Sequence, residues 1–140
     1  MKHLKSYEKC NYFPFDCENL IAIGWLSEES KFTNASVSND FYDKLCDLVK
    51  DPWQPVVSMG IHLCELCQFN PPGFSKNIFI PHEGKIYVCP EAIVHYIAAH
   101  WYKPPQIFID AVMNCPEMRS MEYKKAILAN GGRGLIKLKV

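Results

Sequence analysis

The stretch Asn77-Ile-Phe-Ile-Pro-His-Glu-Gly-Lys-Ile-Tyr-Val-Cys89 decides the fold. Two short runs rich in branched and aromatic residues, Asn77–Ile80 and Lys85–Cys89, flank Pro81-His-Glu-Gly84. Such residues suit a pleated, buried surface, and a glycine-containing break between two such runs predicts a β-hairpin. On either side of this hairpin lies the densest chemistry in the chain. Cys64-Glu-Leu-Cys67 precedes it, and His95 and His100 follow it.

Moving outward towards the N-terminus, Val56 to Leu63 reads as an extended segment delivering Cys64. Phe41, Leu45, Leu48 and Val49 recur at helical spacing. Ser38 is placed to cap that helix, and Asp51-Pro52 stops it, since proline restricts the residue before it. Lys31 to Val37 reads as a polar loop. Leu20-Ile-Ala-Ile-Gly-Trp-Leu26 is short and apolar, the pattern of a buried strand, and Tyr12-Phe-Pro-Phe15 reads as a segment packed onto the core.

Towards the C-terminus, Pro90 and Glu91 open a helix with Ile93, Val94, Ile97, Ala98 and Trp101 on its apolar face. Lys103-Pro-Pro105 ends it and starts another, packed through Ile107, Phe108, Ala111 and Val112 and closed by Cys115-Pro116. A last helix runs from about Ser120 to Ala129, with Asn130-Gly-Gly132 as a left-handed cap. Leu135 to Val140 alternates as an edge strand or a frayed end does. This order predicts an α+β chain: a small antiparallel sheet, helices packed late, and a Cys2His2-type metal site stapling them. With no repeat, low-complexity tract or long linker, residues 1–140 read as a single zinc-binding α+β domain.

Hydrophobic residues make up 49% of the 140, enough for a core without disulfides. Fifteen basic residues balance fifteen acidic ones, so no global field argues for nucleic acid or membrane. No apolar run approaches the ~18 residues of a membrane span, and the polar start lacks the apolar core of a signal peptide. The expectation is a cytoplasmic protein. Seven cysteines, an odd number, argue against a complete disulfide framework.

Zinc prefers four tetrahedral thiolate and imidazole donors, and a two-residue gap lets both sulfurs of Cys64 and Cys67 reach one ion from a tight turn. A redox pair would instead need a helix N-terminus behind the first cysteine. Pro71, Pro72 and Gly73 speak against one. His95 and His100 are the expected partners, clipping the hairpin to the next helix. One geometric condition applies. At ~100° per residue, five steps on an ideal helix separate two side chains by roughly 140°. Both histidines then reach one ion only if the helix widens or ends near His100; otherwise His62 or Cys89 replaces one of them. Glu91 is the candidate general base should only three protein ligands exist. The His-Glu-x-x-His helix of zinc hydrolases and the His-x-Glu of deaminases are missing, which favours a structural Zn2+.

Gly24-Trp-Leu26, Cys64-Glu-Leu-Cys67 and His95-Tyr-Ile-Ala-Ala-His-Trp-Tyr-Lys-Pro-Pro105 resemble the blocks of a family of small bacterial proteins of unknown function. The resemblance covers about residues 20 to 115. It implies that Cys64, Cys67, His95 and His100 act as one unit, disfavours Cys89, and carries no activity.

Three functions follow from these residues. The first is a metal-stabilised interaction or immunity-type module with a protein partner. The second is a zinc-dependent nucleic-acid binder, since Glu117 to Val140 holds six basic residues, Arg119, Lys124, Lys125, Arg133, Lys137 and Lys139, against two acids, and includes Gly131-Gly-Arg-Gly134. The third is a small zinc metalloenzyme. Balanced charge and the lack of a catalytic motif favour the first.

Overall fold

The computed structural model describes residues 20–26, 31–54, 62–67 and 69–133. The hairpin is its centre. Strand β4 spans Asn77–His82 and so reaches further into the turn than the sequence predicts, while β5, Lys85–Pro90, starts where expected and runs one residue longer at its far end. Only Glu83 and Gly84 remain between them, with φ of 47° and 82°. Two successive positive φ values make a primed turn, whose twist matches that of the strands. The amide of Gly84 is held by the side-chain oxygen of Asn130.

Pro81 sits inside β4 because of where it falls in the register. His82↔Lys85, Ile80↔Tyr87 and Ile78↔Cys89 alternate with Pro81↔Ile86 and Phe79↔Val88. In a two-residue hairpin the first set exchanges the ladder bonds, so Asn77, Phe79 and Pro81 direct their backbone groups away from β5. Pro81 has no amide to leave unpaired there. The Gln54 amide accepts from Asn77 N (3.4 Å) and donates to Asn77 O (2.6 Å), and the Tyr123 hydroxyl donates to Phe79 O.

On the other side of β5 lies β1, Leu20–Ala22, parallel to it with Leu20 opposite Ile86. The strand order is β1-β5-β4. The α+β class therefore stands, but this sheet is mixed rather than wholly antiparallel. The expected strand to Leu26 stops early because Gly24 turns at φ 77°. Beyond β1, the Ile23 amide and the Trp25 indole both donate to Val88 O at 3.0 Å. A methyl at Gly24 would lie 2.8 Å from Ile93 Cδ1, so glycine permits both the turn and the close approach.

Helix α1 spans Asn39–Lys50 as predicted, its Ser38 hydroxyl accepting from Phe41 N at 3.2 Å. Phe41, Leu45, Leu48 and Val49 are its buried face. Helix α2, Ile93–His100, begins later than expected. Pro90 is the last residue of β5, and Glu91 and Ala92 form the turn that follows. Helices α3 (Gln106–Met113) and α4 (Met121–Ala129) both pack against β4. Phe108 of α3 meets Phe41 of α1 edge-on at 6.4 Å. Ile78, Phe79, Ile80, Ile86, Tyr87, Val88 and Cys89 are all buried, so the hairpin is covered on both faces.

The glycines after α4 form the predicted cap. Gly132 N donates to Ile127 O (2.8 Å) and Gly131 N to Leu128 O (3.3 Å), the paired bonds of a Schellman end, with Gly131 at φ 92°. The readings at Tyr12–Phe15, at most of Val56–Leu63 and at Leu135–Val140 lie outside the described residues. No helix among the described residues is long and apolar enough to cross a membrane.

Candidate metal centre

Two elements carry the site. The first is a short antiparallel ribbon of β2 (His62–Leu63) and β3 (Gly73–Phe74), with Leu63 opposite Gly73. The Cys64 amide extends it by one bond, to Pro72 O at 3.1 Å. Glu65 and Leu66 form the turn between the two cysteines. Asn70 then adopts φ 48°, and Pro71-Pro72 bring the chain back into β3. The prolines thus build the return leg of a knuckle, and Asn70 to Pro72 are not helical.

The second element is α2, which carries His95 and His100. Its end meets the geometric condition set by their spacing. Trp101 takes the left-handed conformation (φ 58°), and its amide bonds to Tyr96 O, five residues back instead of the usual four. The Tyr102 amide reaches the same carbonyl at 3.2 Å. A five-residue bond widens the last turn and brings residues five apart towards one side. A short pairing fixes this end: Ala35 N donates to Trp101 O and Lys103 N to Thr33 O, both at 3.0 Å, and Phe32 packs edge-on against Tyr102. The sequence reads 31–37 only as a polar loop, and Phe32 and Val37, both packed against the core, are the residues there that signal a docked segment.

All four expected residues meet. Their donor atoms lie within 4.8 Å of one another. Cys67 Sγ is 3.2 Å from His95 Nε2 and 3.3 Å from His100 Nε2, and Cys64 Sγ is 3.5 Å from His100 Nε2. Zinc bonds of about 2.3 Å to sulfur and 2.0–2.1 Å to nitrogen, at tetrahedral angles, place S and N roughly 3.5 Å apart. The group could therefore hold a metal ion with little rearrangement. The imidazoles stand 5.1 Å apart at 80°, and Phe74 of β3 packs 5.8 Å from the His95 ring.

The electrostatics explain why protons and a cation compete here. Burial pushes the Cys64 thiol up, with the neighbouring Cys67 adding to the shift. Burial, then the nearby His100, pushes His95 down, so its ring stays neutral and keeps a lone pair to offer. Two thiolates side by side in this setting need a cation to stabilise them.

The alternatives do not join the group. Cys89 is fully buried in β5, and burial drives its thiol far above the ordinary range. The side chain of His62 lies outside the described residues. Glu91, the reserve base, accepts from Ser75 N at 3.4 Å and is not among the four. In the basic C-terminal segment, Arg119 pairs with Asp51 at 3.2 Å.

A family model described as a domain of unknown function, DUF7919, matches residues 1–113. Comparisons with curated proteins and with solved structures give no match.

Proposed function

The chain belongs to the DUF7919 family, and we propose that it is an interaction module in which Cys64, Cys67, His95 and His100 hold a structural zinc ion. The observation that carries this reading is the convergence of two sulfurs and two imidazole nitrogens within 4.8 Å, with three sulfur–nitrogen pairs at 3.2 to 3.5 Å. That donor set suits zinc, and four protein donors fill a tetrahedron and leave no position for substrate. The ion supplies a cross-link between the β2/β3 ribbon and α2. All five described cysteines are free, which supports a reducing, cytoplasmic setting.

The interacting face is the rim of the site. Leu63 is 53% exposed, Phe69 82% and Trp101 62%. Leu63 and Trp101 each adjoin one of the four donor residues, and Phe69 lies two positions beyond Cys67. Large apolar side chains left in water around a rigid centre are the anchors a protein partner buries. A nucleic-acid role has less support. Gly131 and Gly132 serve a helix cap and Arg119 serves a loop, so the basic segment is partly committed to the fold.

The test is elemental analysis of protein purified without chelator, followed by cobalt substitution. One zinc per chain, and a cobalt spectrum of a tetrahedral site with two thiolates, are expected. Protein without stoichiometric metal overturns the reading.

A further inference from the structure

A second site lies away from the metal centre, between the start of α4 and Trp53 in the segment after α1. A cavity of about 330 Å³ opens there, lined by Trp53, Tyr123, Ile127, Met121, Arg119 and Lys124 among others. Its volume falls in the ~300–1,000 Å³ range of small-molecule pockets. Two kinds of wall meet in it. Trp53 is held edge-on against Phe79 at 5.8 Å and against Tyr123 at 6.1 Å, so its ring is fixed before any ligand arrives. Arg119 and Lys124 add two cations to the same lining.

Arg119 is positioned with care. Its backbone occupies the left-handed region (φ 68°), which non-glycine residues rarely adopt and which concentrates at functional positions. Its guanidinium is oriented by Asp51 and Pro52: Nε donates to Asp51 O, and Nη2 to Asp51 Oδ1 and Pro52 O. Nη1 has no acceptor among the described residues. Asp51 offsets part of the charge of Arg119, whereas Lys124 has no ion pair among the described residues and lies one turn along α4. Aromatic rings that share a cavity with one oriented guanidinium and with an ammonium that has no ion pair among the described residues select a flat ring that bears a negative charge.

The geometry points to a binding site for a small aromatic anion, a ring carrying a carboxylate or phosphate, in the cavity of Trp53, Arg119 and Lys124. The site is independent of the metal reading. It gives the basic excess after Glu117, in part, a ligand rather than a nucleic-acid backbone.

The test titrates the intact zinc-loaded chain with benzoate and with adenosine monophosphate. Benzyl alcohol, adenosine and inorganic phosphate are the counterparts lacking charge or ring. The readouts are calorimetry and the shift of the Trp53 indole resonance. At least one aromatic anion is expected to bind and move that resonance, with its neutral counterpart weaker by about tenfold or more. Lys124→Glu, at an exposed position, is expected to weaken the anion by a similar factor while leaving metal content unchanged. Arg119→Gln, checked for folding by circular dichroism, should do the same. Three results overturn the proposal: no Trp53 shift at ~1 mM of either anion, phosphate alone binding as well as both aromatic anions, or Lys124→Glu binding as the parent does.

Discussion

Removing the proposed zinc ion is the most informative perturbation, because its effect is both sized and located by the fold. A ligand that binds only the folded chain stabilises it by mass action, about 4.1 kcal/mol at a free concentration a thousandfold above Kd. Unfolding entropy near ~2.1 cal/mol/K per residue gives a 140-residue chain about 0.3 kcal/mol per kelvin. Chelation should therefore lower Tm by roughly 14 °C. The loss should also be local. The β2/β3 ribbon has two residues in each strand, and among the described residues the four candidate donors and the Phe74–His95 ring contact are what tie it to α2. The β4/β5 hairpin is buried on both faces. Hydrogen exchange after chelation should show the Cys64 and Tyr102 amides opening first, with the amides of Ile80 and Tyr87 still protected. Calorimetric scans with and without chelator, plus exchange measured by mass spectrometry, provide the assay. An unchanged Tm in protein shown to carry one zinc would refute the staple. So would Cys64 and Tyr102 amides that stay as well protected after chelation as those of Ile80 and Tyr87.

Three further outcomes follow from other parts of the structure. Trp101→Gly should keep the metal and gain about 0.5–1 kcal/mol in urea unfolding, because glycine relieves the left-handed cost that an L side chain carries; loss of zinc would show that the indole itself builds the site. Gly132→Ala places a methyl 2.7 Å from Ile127 O and against Ile127 Cγ2, and should cost about 1–3 kcal/mol in the same assay, whereas an unchanged midpoint would mean the cap is dispensable. Burial pushes the Cys115 thiol up from 9.0 to about 12 and lifts Cys89 and Tyr123 well above their ordinary values. Above pH ~9 for the two cysteines, and above ~10 for Tyr123, the unfolded chain loses these protons first, so the folded state binds more of them. Stability in chelated protein should then fall by about 1.4 kcal/mol per pH unit for each group as pH rises. A flat profile of urea midpoint against alkaline pH would contradict that burial.

How far the sequence spoke varied with how local each signal was. The bounds of α1 were legible because Ser38, the Phe41–Val49 periodicity and Asp51-Pro52 all act within one element. The cap at Gly131-Gly132 was legible for the same reason. Prolines misled twice. Pro81 looked like turn and Pro90 like a helix start, yet both lie in strands, because register decides whether a missing amide matters. The apolar run at Leu20 announced a strand without its partner, so its parallel pairing to β5 was not readable. That Cys64, Cys67, His95 and His100 come together was legible from residue type and spacing. Their geometry was not, since it depends on the wide turn at Trp101 and on the pairing with Thr33–Ala35.

The edge of β4 bears on how copies of this chain behave towards each other. With a formal net charge of zero, the molecule has little long-range repulsion to keep its neighbours at a distance. Colloidal stability then falls to local devices. Gln54 occupies both backbone groups of Asn77, Tyr123 occupies the carbonyl of Phe79, and Pro81 presents no amide. A second strand arriving along β4 finds no row of donors and acceptors to copy. Three side chains thus take over, at short range, a task that net charge performs in many other proteins.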